Sequence, residues 1–277
     1  MSETTSAGRL LTAGDGRDMT RQPELWLIGI GTGNPDHVTL EAQLAIRDAA
    51  LVMVPRKGAD KADLADLRHA ILAASGSSAA VVEFDMPTRD ETLPYAERVS
   101  RWHDRIAAIW AGTIAAARPQ GPVALLVWGD PGLYDSTLRI AARLDPAPRL
   151  RVVPGITALQ ALTAAHAIPL NRVNGAVTVT TGRRLRDHGW PEGAETVAVM
   201  LDGECSFRQL PGDGLTIWWG AYLGMPQQVL ASGPLAGTGA RIVALRTEAR
   251  ARHGWIMDCY LLRSEPGRIA AGNATPA

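Results

Sequence analysis

The stretch VALLVWGDPGLYDST, Val123 to Thr137, decides how the chain is read. Val123 to Trp128 is a short unbroken apolar run, as expected of a strand in the middle of a parallel sheet covered on both faces. Gly129, Asp130, Pro131 and Gly132 cannot extend that strand. Gly129 allows the backbone to approach a ligand closely, and Pro131 fixes its own φ and removes a donor. Asp135 or Ser136 then caps a helix expected from Ser136 to Leu144. A carboxylate, Asp130, therefore stands at the carboxyl end of a central strand, where open α/β sheets bind their ligands. The plain alternative is an ordinary strand-to-helix turn with an exposed aspartate.

Upstream, Leu25 to Ile30 reads as the first strand and runs directly into Gly31, Thr32, Gly33, Asn34 and Pro35. The glycines invite a dinucleotide-binding reading, but Pro35 and Asp36 interrupt the place where a helix should begin, and the G-x-G-x-x-G register is absent. Thr39 instead caps a helix through Ala50, and Leu51 to Val54 is the second strand. That strand ends in Pro55, Arg56 and Lys57 rather than the acid a nicotinamide ribose requires, so an NADP-dependent oxidoreductase, using Arg56, stays open as an alternative. Leu64 to Ala74 reads as an amphipathic helix, Ala80 to Phe84 as a strand, and Pro94 to Ala117 as a long helix after the polar loop Asp85 to Asp90. Arg89, Arg98, Arg101, His103 and Arg105 make this region basic, which on composition alone describes a solvated helix face.

Downstream, Leu150 to Val153 is a further strand, ending in Pro154, Gly155, Ile156, Thr157 and Ala158 before a small-residue helix from Leu159 to Ala167. The boundary between two domains is placed near Pro154, giving 23–154 and 155–265, with a disordered tail at 1–22 and a flexible one at 266–277. In the remaining third, Val177 to Thr180, Thr196 to Leu201, Leu215 to Trp219 and Arg241 to Arg246 read as strands with few helices between them. The fold class is thus α/β in two domains, the second with a larger antiparallel share.

Composition narrows the function. The chain has 277 residues, 46% hydrophobic and 20% charged, with zero formal net charge, so bulk charge lends no support to nucleic-acid binding. All but Lys57 and Lys61 of the 28 basic residues are Arg, a bias that a GC-rich genome explains as well as carboxylate binding does. Two cysteines, Cys205 and Cys259, supply neither a disulfide framework nor a metal cluster. His166, His188 and His253 lack ligand spacing, so no metal is expected. No apolar run approaches the ~18 residues of a membrane span, and no signal peptide is apparent, so a cytoplasmic protein is expected.

Taken together, the loop Gly29 to Thr39 (GIGTGNPDHVT), the G-D-P turn at Gly129 to Pro131 and the run Pro154 to Leu170 (PGITALQALTAAHAIPL) resemble the tetrapyrrole methylases, enzymes that use S-adenosylmethionine. The likeness spans about Leu25 to Leu262. Within the family, MVPRKG (Met53 to Gly58), FDMPTRD (Phe84 to Asp90) and WWGAYLGMP (Trp218 to Pro226) look most like the deacetylating branch of aerobic cobalamin biosynthesis. The resemblance implies two α/β domains with the cofactor in the cleft between them, a homodimer, and methylation of C1 of precorrin-5 with loss of acetate. Other precorrin methylases share the fold and are the nearest alternative; a noncatalytic tetrapyrrole-binding protein is a more distant one. The family's first loop commonly reads G-x-G-P-G-D, whereas Thr32 and Asn34 stand here.

Carried over residue by residue, the resemblance places the cofactor against Gly31 and Thr32, against Trp128, Gly129, Asp130 and Leu133, and against Thr157 and Ala158. From the second domain it adds Met200, Ala221, Tyr222 and Leu223, with Ala240 and Arg241. Removing an acetyl group needs a general base and a donor for the developing oxyanion. Asp130 and Tyr134 are the candidates, with Asp36, His37, Asp85 and His103 as rivals. The substrate's acetate and propionate groups need cations, for which Arg56, Arg89 and Arg101 are expected.

Overall fold

A computed structural model describes residues 24–56 and 62–265. The expected tails and Lys57, Gly58 and Lys61 lie outside the described residues. The first sheet holds β1 (Glu24–Gly29), β2 (Leu51–Arg56), β3 (Ala80–Asp85), β4 (Val123–Val127) and β5 (Arg149–Val153), all parallel, in the order β3-β2-β4-β1-β5. The apolar runs of β1 and β4 are buried on both faces because helices cover both. Leu25 and Leu27 face α3 (Tyr95–Ala117) and α4 (Thr137–Ala141) in one cluster with Ile106, Trp110 and Ile140. Trp26 and Ile28 face α1 (Leu40–Asp48) and α2 (Ala62–Ala74) in another, with Ile46 and Ile71. That alternation follows from the two-residue period of a strand.

Thr39 caps α1 as its type predicts, its side chain accepting from Ala42 N at 3.1 Å. After β5 comes α5 (Ala158–Ala165), capped by Thr157, whose side chain and that of Gln160 form a reciprocal box. This helix packs on the second sheet rather than the first.

The second sheet comprises β6 (Val177–Thr181), β7 (Thr196–Met200), β8 (Leu215–Ala221), β9 (Val229–Pro234) and β10 (Asp258–Ser264), in the order β6-β7-β10-β8-β9. Only the β6–β7 pairing is parallel among those described. Between these strands lie α6 (Gly182–His188) and the long α7 (Leu235–His253). The expected strand at Arg241 to Arg246 is therefore corrected to the middle of α7. There Ile242 is buried and Arg241 and Ala244 are exposed, a helical rather than an alternating pattern. The expectation of few helices fails with it. The antiparallel character of the sheet comes instead from β9 and β10, which went unread.

Candidate active site

Three loops at the carboxyl ends of β1, β4 and β5 meet on glycine. A Cβ on Gly155 would lie 2.1 Å from the Gly129 carbonyl oxygen and 2.8 Å from Gly29 C. The main chains touch because none of the three carries a side chain. Gly31 and Gly129 also exchange backbone hydrogen bonds, of 3.3 and 2.7 Å, which extends the β1–β4 pairing into the loops. Gly129 has φ +61°, the left-handed region that its type tolerates.

Asp130 ties this junction together. Its Oδ1 accepts from Gly132 N at 2.7 Å within the turn, and its Oδ2 accepts from Gly155 N at 3.0 Å on the neighbouring loop. Helix α4 is held by Asp135, whose Oδ1 accepts from both the amide and the hydroxyl of Thr137, at 2.6 and 2.5 Å. Beneath the turn, the buried Arg68 donates from Nε to Leu126 O at 3.1 Å and lies 5.3 Å from the Trp128 ring centroid. Burial pushes this guanidinium down to about 10, against the pull of Asp135. Trp128 Nε1 is buried without a hydrogen-bond partner among the described residues.

The loop after β1 holds itself with the two residues that depart from the family's pattern. Thr32 Oγ1 and His37 Nδ1 share a hydrogen bond of 3.2 Å, and Asn34 Oδ1 accepts from Asp36 N at 2.9 Å. Gly224, from the loop after β8, presses on this histidine: a Cβ there would fall 2.7 Å from its Cε1. The two halves thus touch at the first glycine loop.

Between them runs a cleft of about 370 Å³. From the first half it is lined by Thr32, Trp128 to Asp130, Leu133 to Asp135, and Thr157 and Ala158. From the second come Met200 to Gly203, Tyr222, Leu223, Arg246 and Ile256 to Cys259. Its second-half wall contains a buried ion pair: Arg246 Nε lies 3.0 Å from Asp258 Oδ2, which also accepts from Trp219 Nε1 at 2.9 Å. Burial raises the Asp258 carboxyl above the usual carboxylate range even though Arg246 and the Trp219 bond pull it down. Asp202 is buried beside it and takes hydrogen bonds from Tyr260 Oη at 2.6 Å and from Ser206 N at 2.6 Å. Burial is also the main reason the Tyr260 hydroxyl titrates far above its ordinary value.

The structure gathers most of the expected cofactor residues on this cleft: Thr32, Trp128, Gly129, Asp130, Leu133, Thr157, Ala158, Met200, Tyr222 and Leu223 all line it. Tyr222 does so with its backbone, since its hydroxyl is buried and donates to Trp255 O and Ala249 O. Gly31 and Ala221 stand just behind the wall, whereas Ala240 and Arg241 lie on the exposed face of α7 and do not line it. Of the six candidates for the second chemical step, Asp130 and Tyr134 line the cleft. Asp36 is in an exposed turn, His37 is held by Thr32, Asp85 grips Arg56, and His103 is on the buried face of α3. Sequence reasoning missed Asp202, Arg246 and Asp258, because an acid next to an apolar strand looks like a strand-end surface residue until its partner is known.

The arginines separate as well. Arg56 meets Asp85 with two hydrogen bonds of 2.9 and 3.0 Å and Glu83 at 3.5 Å, and Arg101 pairs with Glu97 one helical turn away. Arg89 has no carboxylate partner among the described residues and lies 4.2 Å over the Trp102 ring.

Two parallel-to-mixed α/β layers enclosing a glycine-walled cleft define a class, and the comparisons agree with it. The model of the Tetrapyrrole (Corrin/Porphyrin) Methylases matches residues 24–238. The chain belongs to this family and is an S-adenosylmethionine-dependent methyltransferase. It is 44% identical over 248 residues to a precorrin-6A synthase [deacetylating] from Sinorhizobium sp, covering 87% of this chain and 95% of that one. A solved structure of a cobalamin synthesis related protein (CobF) from Corynebacterium diphtheriae superposes with TM-score 0.76 at 38% identity, covering 88% of this chain and 99% of that one. A uroporphyrin-III C-methyl transferase from Thermus thermophilus, complexed with S-adenosyl homocysteine, shares the fold at TM-score 0.54 and 17% identity, covering 89% and 92%. The family assignment sets aside the NADP reading. Arg56, on which that reading leaned, already carries two acids.

The cleft fits the cofactor on its own geometry. Its volume lies in the range of about 300–1,000 Å³ usual for ligand pockets, and its first-half wall is open main chain at the glycine junction. Asp130→Ala is expected to weaken S-adenosylhomocysteine binding about ten- to a hundredfold, because two amides lose a charged acceptor worth about 1.5–3 kcal/mol. Isothermal calorimetry reads the affinity, and an unchanged value would separate the turn from the cofactor site.

Proposed function

We propose that the chain methylates C1 of precorrin-5 and releases the extruded acetyl group as acetate, giving precorrin-6A in aerobic cobalamin biosynthesis. The observation that carries this reading is the 44% identity to a deacetylating precorrin-6A synthase over 95% of that protein's length. The cleft mouth is in keeping with a broad macrocycle. Leu201 is 66% exposed there, Tyr134 40% and Met257 36%, a rim of uncovered apolar surface.

When bound, S-adenosylmethionine supplies an activated methyl group for in-line displacement. The protein's own part is to hold donor and acceptor in line, and the rigid junction of Gly29, Gly129 and Gly155 suits that task. Thr32, Trp128, Leu133, Thr157, Ala158, Met200 and Leu223 would bear on the cofactor from both halves. Tyr134 Oη donates to Val179 O at 3.0 Å across the cleft, and it would have to release that carbonyl before donating to a developing oxyanion. Asp130, anchored by two amides, is the acid on the cleft wall nearest to base duty. Arg89 remains a candidate for a substrate carboxylate, whereas Arg56 and Arg101 would have to release their present partners first. We also propose a homodimer and a cytoplasmic location, in line with the family resemblance. No described helix is long and apolar enough to cross a membrane.

Supplied with precorrin-5 and methyl-labelled cofactor, the enzyme is expected to transfer one methyl group and release one acetate per turnover. Mass spectrometry of the product and an acetate assay read the two halves separately. Methyl transfer with the acetyl group retained would assign the chain to another ring position.

A further inference from the structure

Tyr95 opens α3, at the end of the loop that leaves the carboxyl edge of the first sheet. Arg183 belongs to the other half. It lies two residues past Thr181, which pairs in β6 with the cleft-lining Met200. Its neighbour Gly182 is packed so closely on Asp202, also in the cleft wall, that a Cβ would fall 2.3 Å from the carboxyl carbon. Arg183 Cζ is 3.9 Å from the centroid of the Tyr95 ring, and Arg98 Cζ is 5.6 Å from the same centroid. One exposed aromatic ring therefore carries two guanidiniums, one from each half of the molecule.

Neither arginine has a carboxylate partner among the described residues, whereas Arg56, Arg101, Arg143 and Arg186 all do. The ring face offsets little: cation–π attraction is weak at an exposed site, and the two like charges repel each other. An anion in reach of both forks would relieve their repulsion, and a carboxylate matches their planar geometry. We infer that Tyr95, Arg98 and Arg183 form a two-sided clasp for a carboxylate side chain of the macrocyclic substrate, closing across the cleft. The clasp rests on the proposed function in so far as that function supplies a substrate rimmed with acetate and propionate groups.

The test uses the full chain loaded with S-adenosylhomocysteine and titrated with uroporphyrin III, a stable macrocycle bearing acetates and propionates, with fluorescence quenching as the readout. Arg98→Ala and Arg183→Ala are each expected to weaken uroporphyrin binding about tenfold, the lower end of what one charged hydrogen bond contributes, while S-adenosylhomocysteine affinity stays constant. Arg183→Lys should fall between, since the charge remains and the fork is lost. Unchanged uroporphyrin binding in both alanine variants overturns the clasp, as does a wild type that binds no uroporphyrin. An equal loss of S-adenosylhomocysteine affinity also overturns it, because the contact would then be only a strut between the halves. Precorrin-5 turnover by the wild type reads the functional proposal independently. Uroporphyrin held through these arginines without turnover of precorrin-5 would leave the clasp standing and remove the proposed reaction.

Discussion

Arg246→Ala is expected to destabilise the fold by about 3–5 kcal/mol, the usual result of removing one member of a buried ion pair. The Arg246 side chain is 12% exposed and that of Asp258 8%, so removing the guanidinium leaves a carboxylate largely shielded from bulk water. The Trp219 indole would be left as the one hydrogen-bond donor to a buried carboxylate. The loss should depend on pH in a definite direction. Burial already holds the Asp258 carboxyl above its ordinary range, and removing Arg246 takes away the strongest opposing influence and raises it further. A carboxyl raised in the folded state favours folding while protonated and loses that contribution as pH rises through its folded value. The gap between variant and wild type should therefore be widest near neutrality and narrow in mild acid. Urea titrations at both conditions measure it. Arg246→Ala combined with Asp258→Asn should recover part of the loss, because no unpaired charge remains. A gap independent of pH, or no recovery in the double variant, would show that the pair's electrostatics are not what stabilises this wall.

Gly155→Ala is expected to destabilise by about 3 kcal/mol, at the upper end of ordinary overpacking, and to abolish cofactor binding in the molecules that still fold. The methyl group would meet the Gly129 carbonyl oxygen at 2.1 Å and the Gly29 main chain at 2.8 and 2.9 Å. These are backbone atoms at the ends of β4 and β1, so relief requires moving a sheet strand rather than turning a side chain. Gly112→Ala is the control. It lies on an exposed face in the middle of α3 with nothing within 4 Å of the added carbon, and should stabilise by about 0.5–1 kcal/mol. Urea midpoints decide both, and a Gly155→Ala variant as stable as wild type would mean that the junction is looser than it is drawn.

The parts of the fold that could be read in advance are those in which a residue type reports on its own backbone. Val123 to Trp128 is apolar without a break because both faces are covered, and Thr39 announces a helix because its side chain bonds an amide that follows. The glycine loops that line the cleft were legible for the same reason, glycine and proline being statements about main chain. Arg241 to Arg246 misled because Ile242 and Val243 favour strands in isolation. Packing of Ile242 and Thr238 against the second core overrides that local preference, as tertiary contacts often do. Strand β10 was missed for a reason rooted in the site: it opens on Asp258, a charge that is tolerable in a sheet only because Arg246, twelve positions earlier on α7, reaches it. No local pattern records that meeting. Arg56 shows the converse, a cation in the right place along the chain whose fork is already taken by two acids on β3.

The contact among Gly29, Gly129 and Gly155 is made of main chain alone, and a surface without side chains cannot be edited one residue at a time. Exchange at Gly29 or Gly155 clashes and at Gly129 strains a left-handed backbone, so this corner offers natural variation no gradual path. The opposite wall is built from side chains, and apart from the Arg246–Asp258 pair its members, Met200 and Leu223 among them, can drift by ordinary substitution. Chains that share this architecture while acting on different ring positions would then be expected to keep one bank of the cleft as common inheritance and to diverge along the other and around its mouth. A library randomised separately on each bank, scored by retained S-adenosylhomocysteine binding, should recover many solutions on the second and almost none at the glycines.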